Sequence, residues 1–424
     1  MKNIEGYNVK VFTDNVEENA IEQIKQLLSI DVFSNCKIRI MPDVHAGAGC
    51  VIGFTGDLGN KVIPNIVGVD IGCGILVQPL PCISNIYFHA LNEYILKTIP
   101  TGRNLRDSNF AVLPQKYMEQ YSKAKTLVRE LHCYRELKEV RRLNKSIGTL
   151  GGGNHFIELD KSEGGEIYLV IHTGSRNVGK QVAQIYQRLA MKCQSGWAEM
   201  MKEQNRLIAE YKQAGRKNEL QEVIRNLHNS FKMLRPTIHP DLAYLEGTFR
   251  DDYLYDMRLC QKWAQVNRRL IADLIIDFFI SEGWLDSKNT NIREKSFESI
   301  HNYIGDDNVI RKGAISAYQA ELCIIPMNMR DGSLICIGKG NKDWNYSAPH
   351  GAGRVMSRSQ AFKQIQLNDY IKSMSGIYSE TITESTKDES PMVYKPMDEI
   401  VMNIRDTVEV INVIKPVFNL KATE

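Results

Sequence analysis

The pattern of the chain predicts an α+β fold: one domain over residues 1–424, with a peripheral helical block. Three observations lead there. Short strand-like runs occur near both ends of the chain, and a mostly helical stretch from Val178 to about Phe279 separates them. Residues suited to chemistry lie on both sides of that stretch. This points to one interwoven catalytic domain with the helices of 178–279 packed outside it.

Val16 to Ile30 carries apolar residues at helical spacing and predicts an amphipathic helix. Lys37 to Ile40 reads as a short strand, followed by a loop from Met41 to Gly47. A β-like run from Val62 to Val77 is broken by Gly68, Gly72 and Gly74, and glycine inside a strand pattern marks a bulge or a close backbone approach. From Gln115 to Lys145 the spacing is helical, with Arg135, Lys138, Arg142 and Lys145 on one side. A solvated face is the plainer reading of that stripe and an RNA backbone contact the sharper one. Glu166 to Ile171 is an apolar strand ending at His172. The helical block is interrupted near Gly215 and around Pro236 to Pro240, and the polar, acidic segment Ser379 to Ser390 reads as a mobile loop.

Composition narrows the class. The 424 residues are 43% hydrophobic and 24% charged, ordinary globular usage. A net charge of +3 is too small for a protein that attracts nucleic acid with its whole surface, so any such contact must be local. Met1 to Ala20 has no apolar core of a secretory signal, and no apolar run is long enough to span a membrane. The nine cysteines form no CxxC pair and no framework spacing; reduced side chains in the cytoplasm are expected, Cys73 standing apart.

Five short stretches look like one site. In Gly68-Val69-Asp70-Ile71-Gly72-Cys73-Gly74 a carboxylate and a thiol three residues apart can turn toward one ion, although a tight turn with a core cysteine explains it as well. In Gly151-Gly152-Gly153-Asn154-His155-Phe156-Ile157-Glu158, three glycines cost backbone entropy, which suggests a close approach to something such as a phosphate. The others are His172-Thr173-Gly174-Ser175-Arg176, Ser299-Ile300-His301-Asn302 and His350-Gly351-Ala352-Gly353-Arg354. His89, His132, His228 and His239 lack such company and read as ordinary surface or core residues. One Asp, one Cys and four His beside glycine turns are hard to explain as packing. Two ions about 3.5–4 Å apart would use such a set, with a thiolate as the bridge.

These stretches, in this order, resemble those of the RtcB RNA ligases. Met41-Pro42-Asp43-Val44-His45, the Asp70–Cys73 turn, Asn154 to Glu158 and His350 to Arg354 carry the likeness. Weaker echoes are Leu242-Ala243-Tyr244-Leu245, Arg311-Lys312-Gly313-Ala314 and Val408-Glu409-Val410-Ile411. The resemblance implies an RtcB-like single catalytic domain of α+β class, with mixed β-sheets around a central metal cleft. It implies two manganese ions, one on Asp70, Cys73 and His155 and the other on Cys73, His172 and His301. It also implies that His350 attacks the α-phosphorus of GTP and carries GMP, with Asp43 beside it. The guanylate pocket would map to Asn154, Phe156, Glu158, Asn302, Asn328, Ser333, Gly351, Gly353, Tyr394 and Lys421.

The implied reaction joins RNA ends bearing a 3′-phosphate, or a 2′,3′-cyclic phosphate, to 5′-hydroxyl ends, in RNA repair or tRNA splicing. Arg176, Lys312 and Arg354 would neutralise phosphate oxygens, with internal salt bridges as the alternative. Glu158 would accept from the guanine edge. A monomer is expected, and an archease-type activator is a partner the family admits. Two features depart from the pattern. A Cys/His/Asp donor set is softer than manganese prefers, and Pro326-Met327-Asn328-Met329 stands where the family has Pro-Gly-Ser-Met, as in a divergent bacterial branch. The competing readings are a two-metal phosphoesterase or cyclic phosphodiesterase without ligation, and an inactive scaffold that keeps the fold.

Overall fold

The computed structural model describes residues 2–3, 7–81, 83, 85–107, 112–230, 238–286, 288 and 292–422. Two large sheets dominate. The first runs β1 (Lys2–Asn3), β2 (Val9–Val11), β3 (Ile38–His45), β4 (Ile52–Gly56), β12 (Ile310–Lys312), β11 (Tyr303–Ile304). The second runs β10 (Phe297–Ile300), β6 (Gly74–Leu80), β8 (Ile167–Thr173), β7 (Phe156–Ser162), β17 (Val408–Lys421), β15 (Gly332–Gly338), β14 (Leu322–Asn328). Two small pairs complete the strands, β13 (Ala314–Ser316) with β16 (Ser347–Pro349) and β5 (Lys61–Val62) with β9 (Leu245–Glu246). Both large sheets draw strands from distant parts of the chain, as one interwoven unit requires.

The helices are α1 (Glu18–Leu28), α2 (Pro64–Val67), α3 (Phe88–Thr98), α4 (Met118–Arg129), α5 (Val140–Asn144), α6 (Arg176–Cys193), α7 (Trp197–Gln213), α8 (Leu220–Ser230), α9 (Gly247–Ser281), α10 (Arg358–Gln364), α11 (Leu367–Ser373) and α12 (Met397–Ile404). The expectation of an outer helical block fits α8, which buries none of its side chains. It does not fit α9. Most of its residues from Leu259 to Phe279 are buried, and it lies against β6 and β8, where every residue of β8 is buried. A strand of that composition has to be covered on both faces.

The few polar residues on α9 hold the loops above it. Asn267 accepts from the Gly148 and Thr149 amides at 2.6 and 3.2 Å and donates to the Thr149 carbonyl. Arg268 donates to the carbonyls of Gly72 and Thr173, both at 2.9 Å, and pairs with Glu298. One buried helix face therefore fixes the turns that precede Cys73 and the Gly151 triplet and that follow His172.

Other expectations need correction. The strand before Asp43 does not stop at Ile40 but continues as β3 to His45, because Met41 and Val44 pack into apolar clusters. The run from Val62 is divided by α2, which Pro64 opens at its first position. The Gln115–Lys145 helix is divided into α4 and α5, with 3-10 turns at Gln115–Tyr117 and His132–Glu136 and with Glu139 in a left-handed conformation before α5. Ser379 to Ser390 is no loose loop: Thr383 and Thr386 cap a 3-10 helix there, and Thr386, Asp388, Glu389 and Ser390 are buried. The interruption at Gly215 is present, with φ +71°, whereas Pro236 lies outside the described residues. Cys82 also lies outside them, and the other eight cysteines are free.

Candidate active site

Four turns deliver five side chains to one place. β6 begins just after Cys73, β7 just after His155, β8 ends on His172–Thr173, and His301 follows β10. Because β6, β8 and β10 are neighbours, the Cys73, His172 and His301 positions are brought together at one end of the sheet. Cys73 Sγ lies 3.5 Å from His155 Nε2 and 3.3 Å from His172 Nε2. His155 Nε2 is 3.2 Å from Asp70 Oδ2, and the Nε2 atoms of His172 and His301 are 3.4 Å apart. Two trios result, Asp70–Cys73–His155 and Cys73–His172–His301, each with donor atoms within 4.8 Å of one another.

The donor atoms fit a dinuclear cation site. His155 Nδ1 faces the Leu150 carbonyl at 2.9 Å and His172 Nδ1 faces that of Asn154 at 3.2 Å. Each carbonyl can take only a proton, so the Nε2 lone pairs point inward, the usual outer support of a metal-binding histidine. Burial, with neighbouring imidazoles adding to it, pushes the His172 and His301 pKa well below the ordinary value, which keeps both rings neutral. Lone pairs and a thiol facing one another inside a closed site repel unless cations lie between them. Burial and the nearby Asp70 raise the Cys73 thiol well above its usual range in the bare protein. A bound cation reverses that balance and would hold it as thiolate.

His350 stands beside this cluster, its ring centroid 4.9 Å from that of His301. The fully buried carboxylate of Asp43 accepts from His350 Nδ1 at 2.7 Å and from the His350 backbone amide at 3.2 Å. Nδ1 therefore carries the proton and Nε2 keeps its lone pair. Gly353 lets the two segments meet: it has φ +74°, and a Cβ there would lie 2.5 Å from the Asp43 carbonyl oxygen. A cavity of about 210 Å³ opens from His172 and His350 and is bordered by Asn154, Phe156, Glu158, Ser333, Tyr394 and Lys421. The family model described as tRNA-splicing ligase RtcB matches residues 23–422.

The chain belongs to the RtcB family. It is 31% identical to the "RNA-splicing ligase RtcB" of Escherichia coli K12, with 98% of each chain covered. The "tRNA-splicing ligase RtcB" of Aeropyrum pernix is 26% identical over 85% of this chain and 82% of its own. That of Methanococcus maripaludis is 24% identical over 93% and 89%.

Of the residues the RtcB resemblance singles out, the structure gathers Asp70, Cys73, His155, His172, His301, His350 and Asp43 into one cluster. Asn154, Phe156, Glu158, Asn328, Ser333, Gly351, Gly353, Arg354, Tyr394 and Lys421 border the adjoining cavity. Asn328 is tied at both ends of its amide to the Arg330–Asp331 turn, so its side chain shapes that wall. Asn302 is placed differently. It has φ +64°, accepts from the Gly313 amide at 2.9 Å and faces the Asp70 carbonyl, so it clamps the Asp70 turn and does not border the cavity. Lys312 is also elsewhere: its ammonium is committed to the carbonyls of Ala48 and Asn65, and it borders no part of the cavity. Arg354 follows the internal salt-bridge alternative, paired with Glu389 at 3.4 Å. Arg176 lies beside Asp70 and His155 on the other side of the cluster, held by Thr149 Oγ1 and the Gly102 carbonyl.

Within the glycine triplet, Gly151 approaches a side chain, while Gly152 borders an opening beside Asp70 and His155 and a Cβ on Gly153 would meet nothing nearer than 3.6 Å. A Cβ on Gly151, which has φ +93°, would lie 1.7 Å from Arg176 Nη1. Sequence reasoning missed Glu389, Asn419, Arg268 and the cavity role of His45. Glu389 gathers Lys421, Tyr394 and Arg354 around one buried carboxylate. Asn419 donates to Glu158 Oε1 at 2.5 Å. Burial lifts Glu158 to about 7, against the opposing pull of Lys421 and Asn419. A run of charged residues inside an apolar helix would have flagged Arg268. Nothing local flags Glu389. The four histidines set aside as ordinary are indeed exposed and paired with nearby polar groups such as Glu380, Asp252 and Gln204.

Proposed function

We propose that this chain is a GTP-dependent RNA ligase that joins 3′-phosphate or 2′,3′-cyclic phosphate ends to 5′-hydroxyl ends through a guanylylated His350. The observation that supports this most is the Asp43–His350 pair, which leaves Nε2 as a nucleophile at the mouth of a purine-sized cavity and beside the metal trios. In the first step His350 Nε2 forms a bond to the α-phosphorus of GTP and pyrophosphate leaves; Asp43 stabilises the charge that builds on the ring. In the second, an oxygen of the RNA 3′-phosphate takes the guanylyl group from Nε2, which frees His350. In the third, the 5′-hydroxyl attacks the activated 3′-phosphorus, GMP departs, and a 3′–5′ phosphodiester remains.

Ionised Glu158 would accept from the two donors on the guanine edge, with Tyr394 and Lys421 closing the site. Asp70, Cys73, His155, His172 and His301 would hold two manganese ions, whose charge would draw electron density from phosphoryl oxygens. We place the reaction in the cytoplasm, carried out by a monomer that an archease-type protein activates. Among the described residues no helix is long and apolar enough to cross a membrane.

The test is incubation with GTP, manganese and a pair of RNAs ending in 3′-phosphate and 5′-hydroxyl. Joined product that requires GTP supports the reading. Opening of a cyclic phosphate without joining, in protein that takes no label from GTP, would instead favour a phosphoesterase.

A further inference from the structure

Two acids stand on one face of β7. Side chains alternate along a strand, so Glu158 and Asp160 point to the same side, with their backbones roughly 7 Å apart. Both are buried, and the apolar members of that face, Phe156, Tyr168, Val170 and Ile414, belong to one cluster. Glu158 borders the cavity beside His350, and Asp160 lies behind it without reaching the cavity.

The two acids are served unequally. Glu158 Oε1 accepts from Asn419 Nδ2 at 2.5 Å, and the Lys421 ammonium lies near it. Both oxygens of Asp160 lack a hydrogen-bond partner among the described residues. The Tyr168 hydroxyl, on the β8 residue opposite Asp160, is spent on Glu166. Lys421 is shared as well: Glu389 pairs with it at 2.9 Å and also takes the Tyr394 hydroxyl and Arg354. Across the cavity, Arg358 faces Asp388, the imidazoles of His45, His172 and His350 stand nearby, and β15 offers only the Ser333 hydroxyl. Three buried carboxyls, Glu158, Asp160 and Glu389, therefore meet two cations, Lys421 and Arg354. A third ionised carboxylate would be a buried charge without a partner, which a protein avoids by keeping the proton on it. Burial, with Glu158 adding to it, raises Asp160 well above the carboxylate range, whereas Glu158 rises only to about 7.

The charge on Glu158 decides which base edge it can meet. An ionised carboxylate only accepts, which suits the ring N–H and the exocyclic N–H of guanine. A protonated carboxyl offers one O–H and one acceptor, which suits the bare ring nitrogen and the exocyclic N–H of adenine. We propose that Asp160 keeps its proton, that Glu158 alone carries the charge of the pair, and that the base the cavity accepts follows the proton on Glu158: guanine when it is ionised, adenine when it is protonated. The inference rests on the ligase reading above, in which Glu158 meets the base. With ATP the transfer is the same as with GTP: His350 Nε2 bonds to the α-phosphorus, AMP stays on the ring and pyrophosphate leaves.

The test compares RNA-free labelling of the full chain by α-labelled GTP and by α-labelled ATP, with manganese, from acid to alkaline pH. The ratio of the two kcat/KM values cancels whatever pH does to the metals or to His350, and it reports ionisations of the free protein. In the natural protein the GTP-to-ATP ratio should climb with pH through about 7, by as much as roughly tenfold for each pH unit. Glu158→Gln, whose amide has one donor and one acceptor, should lose that climb and most of the preference for GTP. Asp160→Asn should keep the climb, with the ratio at each pH within about tenfold of the natural one, the change that one pKa unit would make. At alkaline pH the natural protein should also show a protonated-carboxyl band in infrared spectra that Asp160→Asn lacks. A natural ratio that is flat with pH, a climb that survives in Glu158→Gln, a climb lost or displaced further in Asp160→Asn, or a missing infrared band overturns the proposal. Protein that takes no label from either nucleotide at any pH would instead defeat the ligase reading.

Discussion

Replacing Asp43 by asparagine changes one oxygen to a nitrogen and leaves the volume of the site intact. In the natural chain Asp43 Oδ2 accepts from both Nδ1 and the backbone amide of His350, at 2.7 and 3.2 Å. A hydrogen bond to a charged acceptor contributes roughly 1.5–3 kcal/mol, about 10- to 150-fold in rate if it strengthens as the ring gains charge. A second effect adds to this. An asparagine amide can turn its NH₂ toward Nδ1, which stabilises the tautomer with the proton on Nε2 and removes the nucleophilic lone pair. A carboxylate-to-amide change behind a catalytic imidazole lowers the rate by as much as about 10⁴ in the serine protease case. The expected loss in single-turnover labelling by α-labelled GTP is therefore between about 10² and 10⁴. Folding should survive, because Asp43 is fully buried and its Oδ1 has no partner. A properly folded, metal-loaded Asp43→Asn protein that labels within twofold of the natural rate would refute the assignment of Asp43 as the group that orients His350.

Further outcomes follow from the same geometry. Cys73→Ala removes the one atom common to both trios, so metal analysis should find bound manganese falling for both sites together, with ligation lost; retention of a full complement would break the bridging role. Glu158 is raised by burial from its ordinary 4.5 to about 7, so the folded chain binds the extra proton in that window and stability falls as pH rises through it. Glu158→Gln should flatten that slope in melting curves taken from acid to alkaline pH, while KM for GTP rises; a slope that persists would exclude Glu158 as its source. Gly151→Ala forces a Cβ into the Arg176 guanidinium at positive φ, a strain of roughly 1–3 kcal/mol. Ligation should slow more than GTP labelling does, since Arg176 lies on the side of the cluster away from the His350 cavity; equal slowing would argue that Arg176 serves the guanylate step.

The sequence disclosed the His/Cys/Asp cluster because its members sit in short turns whose glycines are local signals. Asp70 and Cys73 share one turn, His155 follows the glycine triplet, and His350 precedes Gly351 and Gly353. What it disclosed less well depends on contacts between remote segments. Glu389 looked like part of a solvated acidic stretch, yet it is buried because Lys421, Tyr394 and Arg354 arrive from three other places. Lys312 and Arg354 are cations beside a phosphate site in sequence, but carbonyls and Glu389 hold them in the fold. The helical block was legible as helix but not as core, since α9 carries charged residues such as Arg268 and Asp273 along its length and yet is mostly buried. The sheet order was out of reach of periodicity, because β17 pairs with β7 and β15 from far upstream.

The account stands most directly on where the nucleotide goes. Protein incubated with α-labelled GTP and manganese, then digested and mapped by mass spectrometry, should carry one guanylate on the peptide containing His350. The linkage should be labile to acid and stable to alkali, as a phosphoramidate is, and absent from His350→Ala protein that still binds metal. Label on another residue, or undiminished label in that variant, would contradict it.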